Sequence, residues 1–351
     1  MSEVFLIQNS FLENLGKTLE KIGVKNMNDD KIALKLHMGE YGNLNYVRPP
    51  IVGKVVEVVK EAGGQPFLFD TPTFYAGSRT TIEGYMETAR KNGFTKETVG
   101  CPIVISNEGV EVKTRGSLGT VEVAKSLLVD GIIVISHAKG QAETGLGGAI
   151  KNLGMGGVTK KTKALVHTGA KPVLSDNCNG CEECIKVCWD EAITLKNKQV
   201  FFNYRDCWGC GACISVCPIH ALKPRKNNFR YSLAEAASAV LKNFEKNKQF
   251  FINVLMDITP LCDCFPSYGI DFEGFPICRD IGILVSKDPV AIDAASISLI
   301  EQNAGKGIFY DLHHVDCREY LEMSEKLGMG NKEFEIIEVG TPFMEFRDYF
   351  L

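Results

Sequence analysis

Eight cysteines stand in two runs in the middle of the chain: Cys178, Cys181, Cys184 and Cys188, then Cys207, Cys210, Cys213 and Cys217, with Pro218 after the last. Each run reads C-x2-C-x2-C-x3-C, the thiolate spacing that wraps a [4Fe–4S] cube. Three cysteines on a tight loop can each reach one iron of a cube. The fourth, carried onward by a helical turn, points to a neighbouring cluster. Ligation is therefore expected to be crossed, with Cys178, Cys181, Cys184 and Cys217 on one cluster and Cys207, Cys210, Cys213 and Cys188 on the other. The runs also match one another, Gly180 with Gly209, Ile185 with Ile214, Val187 with Val216 and Ala192 with Ala221, as duplication of one half would leave them. Two [4Fe–4S] clusters are the expected cofactors.

Other uses of eight sulfurs fit less well. Structural zinc favours separated C-x2-C pairs, and disulfide frameworks belong to small secreted chains, whereas this chain has 351 residues and no signal-peptide pattern. Trp189 follows the first run where proline follows the second, an irregularity that alters the adjacent turn. His220, just after Cys217 and Pro218, is expected near a cluster, where an N–H could tune its potential.

A second group of residues could do chemistry outside the runs. His37 follows one predicted strand, His137 and Lys139 another, and Asp257, Cys262, Asp263 and Cys264 a third, so all can converge on one sheet edge. His37, Lys139 and Asp263 are the candidate catalytic residues. Lys35 or Lys139 could anchor an anion, or donate a proton if burial brings its pKa towards neutrality. Cys262 and Cys264 could share a further metal, form a strained redox pair, or be two structural thiols, and Cys278 could join them. Cys101 and Cys317 read as buried structural residues, and the adjacent His313 and His314 as a loop pair with a surface role. Between Ile135 and Gly157 the sequence ISHAKGQAETGLGGAIKNLGMGG passes from an apolar strand through a glycine-dense loop around Asn152 to a short helix. There backbone N–H groups and Lys139 could receive a phosphate or carboxylate, or Gly145, Gly147, Gly148, Gly154, Gly156 and Gly157 could simply allow close packing. Neither a dinucleotide fingerprint nor a P-loop is present.

These residues need a frame. The spacing of Phe11, Leu12, Leu15, Leu19 and Ile22 predicts a helix over Phe11 to Gly23, and the alternation from Lys31 to Leu36 a strand. A helix begins near Pro49 and Pro50 and stops at Gly63 and Gly64, followed by a strand from Gln65 to Asp70. Gly131 to Ser136 is an unbroken apolar run, Ser232 to Phe244 an amphipathic helix, Phe250 to Met256 a strand, and Asp288 to Ile300 a helix opened by Asp-Pro. This alternation predicts an α/β fold with a mainly parallel sheet and helices on both faces. A small ferredoxin-like α+β module, residues 173–225, interrupts it, folded around its metals because its core is too small to stand alone. The α/β core would be discontinuous, 1–172 and 226–351, with its termini able to pack together.

Composition agrees: 45% hydrophobic and 23% charged residues describe a globular chain, and a net charge of −4 offers no footprint for nucleic acid. No apolar stretch approaches the roughly 20 residues that span a bilayer. With 13 cysteines the cytoplasm of an oxygen-poor cell, an anaerobe, is the expected setting.

The segments KLHMGE (Lys35–Glu40), SHAKG (Ser136–Gly140), GGAIKNLGMG (Gly147–Gly156), CDC (Cys262–Cys264) and KDPVAID (Lys287–Asp293) together resemble the domain of unknown function 362 family. The cysteine block resembles the bacterial two-cluster ferredoxin module that many members carry as an insertion. The resemblance implies an iron–sulfur protein with an adjoining α/β domain, and no particular reaction. The expected function is an oxidoreductase whose clusters pass electrons to an acceptor on the α/β domain, the partner being a redox protein or a small molecule. The alternatives are an electron carrier or assembly partner without chemistry of its own, and structural clusters beside hydrolytic or transfer chemistry at the glycine-rich loop.

Overall fold

A computed structural model describes residues 1–188, 190–226, 228–264 and 276–340. Trp189 and its irregular turn lie outside the described residues. Eight strands make the main sheet: β1 (Ser2–Ile7), β2 (Lys31–Leu36), β3 (Gln65–Asp70), β4 (Ile103–Ile105), β5 (Gly131–His137), β6 (Gln249–Leu255), β7 (Gly282–Ser286) and β8 (Phe334–Val339). Their order is β8-β1-β7-β6-β5-β2-β3-β4. Strands β6, β5, β2, β3 and β4 run parallel, with Ile133 of β5 opposite both Leu34 and Phe250. Strand β7 is antiparallel to β6 and β1, while β1 and β8 are parallel and bring the two ends of the described chain side by side.

The central strands are apolar on both faces, as parallel strands between helix layers must be. In β2, Ile32, Leu34 and Leu36 point to one core with Leu15 and Leu19 of α1 (Phe11–Lys21), Val52, Val55 and Val59 of α2 (Pro49–Glu61) and Tyr85 of α3 (Ile82–Lys91). Ala33 points the other way, to a core shared with Ile150 and Leu153 of α4 (Ala149–Gly156). Beyond α4 come α5 (Lys160–Ala170), then α6 (Phe229–Leu241) and α7 (Pro289–Ala304), whose residues Ala236, Val240, Val290 and Ile292 complete this second core. The two cores account for helices on both faces of a mainly parallel sheet.

Two expectations change. Strand β2 has no polar face: everything from Ile32 to Leu36 is buried, Lys35 included. Helix α6 is buried on nearly all sides rather than amphipathic, because it packs against Val166 and Ala170 of α5 through Leu233 and against the sheet-side core through its alanines.

The cysteine runs lie between α5 and α6. Here the chain forms two small antiparallel pairs, Pro172–Leu174 with Leu222–Pro224 and Ile193–Lys196 with Gln199–Phe202, and two four-residue helices, Glu183–Lys186 and Ala212–Ser215. Its hydrophobic cluster is small: Cys184, Cys213 and Cys217 with Ile193, Val200, Ala221 and Leu222.

Candidate functional site

Because β2, β3, β5 and β6 are parallel, their C-terminal ends share one edge, and the loops leaving them build a cavity of about 110 Å³. His37 after β2, Asp70 at the end of β3, His137 at the end of β5, and Cys262, Asp263 and Cys264 in the loop after β6 all line it. The expected convergence is thus observed for His37, His137, Cys262, Asp263 and Cys264. Asp257 stands apart, paired with Arg48 at 2.5 Å, and Cys278 and Lys139 are not among the lining residues.

The charges in this wall are mostly spent on one another. Lys35 lies 3.0 Å from Asp70 and donates to Asn152 Oδ1 at 2.6 Å, while Tyr85 donates to Asp70 at 2.5 Å. Burial pushes the Lys35 ammonium down against the pull of Asp70, so Lys35 is a tethered internal cation rather than an anchor for an outside anion. Lys139 Nζ is 2.6 Å from Asp263 Oδ1 and donates to the Asn45 carbonyl at 2.6 Å. His137 offers Nδ1 to the same carboxylate at 3.0 Å and Nε2 to the Met256 carbonyl at 2.5 Å; both partners accept, an arrangement that the imidazolium satisfies. Burial alone would raise the Asp263 carboxyl, but Lys139 and His137 outweigh it and hold it below the usual carboxylate range. Lys139 and Asp263, expected to do chemistry, thus clamp the loop that carries the two cysteines.

The glycine-rich loop holds its own carboxylate. Asp293 of α7 accepts from the N–H groups of Ala149 and Ile150, at 2.7 and 3.0 Å, and so caps the N-terminus of α4, where an external phosphate or carboxylate was expected. Gly148 leaves room for Asp293 and Gly156 for Lys35, since a Cβ at either would collide with those side chains. For these two glycines close packing is the role.

The groups that face open space are different. Lys151 on α4 points to both Cys262 Sγ, at 3.8 Å, and Cys264 Sγ, at 3.6 Å, and His37 Nε2 is 3.6 Å from Cys264 Sγ. Arg79, buried, reaches His37 Nε2 at 2.6 Å, Glu40 at 3.0 Å and the Tyr75 hydroxyl at 3.4 Å. Burial raises the Glu143 carboxyl to about 7, and burial lowers the Lys163 ammonium to about 7, placing two proton-exchanging groups near neutrality in one cavity.

The opposite wall is aromatic. Tyr75 and Trp208 stand with ring centroids 4.7 Å apart, Phe74 and His167 at 4.7 Å, and His167 and Phe229 at 4.7 Å. Trp208 directly follows Cys207, and its carbonyl accepts a hydrogen bond from His167 Nδ1 at 2.8 Å. Burial lowers the His167 imidazole to about 4, leaving it neutral for that bond. A segment of the second cysteine run is therefore part of the cavity.

Within the runs, Cys178, Cys181, Cys184 and Cys217 together line a small cavity of their own. Burial pushes the Cys210 thiol up to about 12, with Glu143, Cys207 and Cys188 adding to it, and Cys188 likewise adds to the rise of Cys213. Among the described residues, no three His, Cys, Asp or Glu side chains are placed to hold a single metal ion. A cube divides its thiolates among four irons, so this result concerns the further metal raised for Cys262 and Cys264, which finds no such ligand set among the described residues.

The histidine pair differs from expectation. His313 is fully buried at the end of a short helix, donating to the Pro260 carbonyl at 2.8 Å, with burial lowering its imidazole to about 4; His314 is half-buried. His220 is exposed. Cys101 and Cys317 are buried, their thiols raised by burial to about 11 and about 12. Arg79, Glu143, Lys151, Lys163 and Trp208 are among the cavity residues that the sequence did not single out, as are Phe74, Tyr75, His167 and Phe229. Only Trp208 had a local signal, an aromatic residue between cluster-type cysteines.

Fold and site together define an α/β protein with a polar cavity at the C-terminal strand edge and a cysteine-rich segment forming part of its wall. The chain belongs to the family described as Domain of unknown function (DUF362), whose model matches residues 32–298. It is similar to the thylakoid-associated protein sll1697 of Synechocystis sp., with 29% identity over 147 residues, 40% of this chain and 43% of that protein. The match thus spans less than half of that relative's length. Among solved structures it is similar to the lactate racemase apoprotein of Thermoanaerobacterium thermosaccharolyticum, with a TM-score of 0.33 and 14% identity, covering 72% of this chain and 50% of that one. No helix among the described residues is long and apolar enough to cross a membrane.

Proposed function

We propose that this protein is an iron–sulfur oxidoreductase whose reducible substrate occupies the cavity at the strand edge. Residues 173–225 would be its cluster-binding unit, with Cys178, Cys181, Cys184 and Cys217 holding one [4Fe–4S] cluster and Cys207, Cys210, Cys213 and Cys188 the other. The donor sets fit: the first four thiols share one small cavity, and Cys188 stands within electrostatic reach of Cys207, Cys210 and Cys213. When bound, such clusters supply single electrons at low potential.

The observation that carries the reading is the position of Trp208, which belongs to the second run and also lines the cavity. A carrier without chemistry would have no need to place a cluster-bearing loop against a buried cavity containing Lys151, His37 and two thiols. The chain's own residues would then bind and protonate. Lys151 and Arg79 favour a substrate with negative charge, Trp208, Tyr75 and Phe74 cover it from water, and Glu143 and Lys163 hold exchangeable protons near neutral pH.

Anaerobic purification followed by iron and acid-labile sulfide analysis tests the cofactor assignment, with about eight of each expected per chain. Redox titration followed by electron paramagnetic resonance tests the role, with reversible one-electron reduction expected. About two zinc ions and no sulfide, or clusters that do not reduce reversibly, would overturn it.

A further inference from the structure

Among the described residues, the cysteines that line the strand-edge cavity are Cys262 and Cys264. The residue between them, Asp263, is clamped through its carboxylate by Lys139 and His137 and through its carbonyl by the Glu40 N–H at 2.9 Å. A loop fixed at its centre presents both thiols to the same space and to the same ammonium, Lys151 Nζ at 3.8 and 3.6 Å. His37 Nε2 approaches only Cys264, at 3.6 Å. The pair is therefore asymmetric: one sulfur has two nitrogen neighbours and the other has one.

We propose that Cys262 and Cys264 are a redox-active dithiol that reduces a small organic disulfide bound in the cavity, with Cys264 as the attacking sulfur and Cys262 as the resolving one. The Cys264 thiolate attacks one sulfur of the substrate, forming a mixed disulfide and expelling the other half as a thiolate. Cys262 then gives up its proton to the departing sulfur and attacks Cys264 Sγ. The second half leaves, and the Cys262–Cys264 disulfide remains. Two electrons have moved to the substrate, and its two halves depart as one thiol and one thiolate, matching the one thiol and one thiolate that the protein started with.

The surroundings suit this division. The hydrogen bond from Cys262 lowers the Cys264 thiol well below its ordinary value, and Lys151 and His37 add to that against the effect of burial. The same hydrogen bond, together with burial, raises Cys262. Lys151 is also placed to stabilise a leaving thiolate. The exchange uses this chain's own sulfurs. Only the return to the dithiol, which takes up two electrons and one proton, rests on the redox reading above.

The test uses the full chain, purified anaerobically and exposed to 2-hydroxyethyl disulfide as the probe, then acid-quenched, alkylated and mapped by peptide mass spectrometry. Wild-type protein is expected to yield the Cys262–Cys264 disulfide. Cys262→Ser should accumulate the mixed disulfide on Cys264, whereas Cys264→Ser should form an adduct on Cys262 at least about 10-fold more slowly. Lys151→Gln should slow modification of Cys264 about 10-fold at pH 7, and Lys151→Arg should restore most of the rate. Equal rates at the two cysteines, a lasting Cys264 adduct in wild type, or no reaction of either thiol in folded protein would overturn the proposal. Iron and sulfide counted on the same samples separate the two readings. Failed exchange with full iron sinks the dithiol alone, and normal exchange without iron sinks the cluster reading alone.

Discussion

The α/β sheet and the cysteine-rich segment hold themselves together by opposite means. The sheet buries two continuous apolar cores, one on each face, and can place ion pairs such as Lys35–Asp70 and Lys139–Asp263 at its edge. The segment between α5 and α6 has four-residue helices and short two-stranded pairs, and three of the seven buried residues of its core cluster are cysteines. Folding so small a unit against its chain entropy requires something besides apolar area. In one region charge is a guest of a core that stands without it; in the other, cysteines are part of the core itself.

The largest expected effect follows from that contrast. Stripping iron with a chelator should abolish hydrogen-exchange protection between Ser175 and Leu222 while β5 and β6 stay protected, as read by mass spectrometry of exchanged peptides. Unchanged protection in the segment would mean that its few aliphatic residues suffice, and would break the contrast. Cys213→Ser, which removes one buried ligand, should lower iron from about eight to about four per chain if the two clusters fold independently.

The same contrast explains what the sequence made legible. Apolar runs such as Gly131 to Ser136 and the Pro-Pro start of α2 are local signals, and they located most of the parallel strands and the long helices. Strand β7 carries a similar apolar run, Ile283 to Val285, but its antiparallel place between β1 and β6 is decided by tertiary pairing, which no local signal encodes. At the cavity, His37, Cys262 and Cys264 were readable from chemistry-bearing residue types at strand ends. The duties of Lys139, Asp263 and Asp293 were not. Each is buried against a partner far away in sequence, Lys139 with Asp263, and Asp293 with Ala149 and Ile150, and nothing in a residue's neighbourhood encodes a remote counter-charge. In the cysteine runs spacing alone suggested that Cys217 stands with Cys178, Cys181 and Cys184, and the four line one small cavity.

Within the sheet region, the clamp on Asp263 should show the largest single-residue effect. Lys139→Met leaves a buried carboxylate without its main partner and is expected to cost about 3–5 kcal/mol in urea unfolding at neutral pH. The sign with pH follows from Asp263 being held below its unfolded value. Its contribution is present above the unfolded carboxylate pKa of 3.8 and is lost as pH falls through the folded one, so the variant's deficit should shrink in acid. An unchanged unfolding midpoint would mean that the pair is replaceable, and that the cysteine loop is held by its backbone. Gly148→Ala should cost less, about 1–3 kcal/mol, by forcing a methyl against the Asp293 carboxylate that caps α4.

The smallest effect is also the most selective, because it separates a charge kept for stability from one kept for use. Burial raises Glu143 to about 7 from 4.5, so the folded protein binds more protons than the unfolded chain between those values. Stability from this group is fully present below pH 4.5 and is lost as pH rises through 7, which makes the ionised carboxylate a burden above neutrality. Glu143→Gln removes that burden. The variant should approach wild type at pH 4 and exceed it by about 1–2 kcal/mol at pH 6. A clamp residue would show the reverse, since Asp263 stabilises when ionised. If Glu143→Gln were instead less stable than wild type at pH 8, the carboxylate would be a structural anion like Asp263. The cavity would then lose one of its two proton-exchanging groups, and with it part of the case that it carries out reduction.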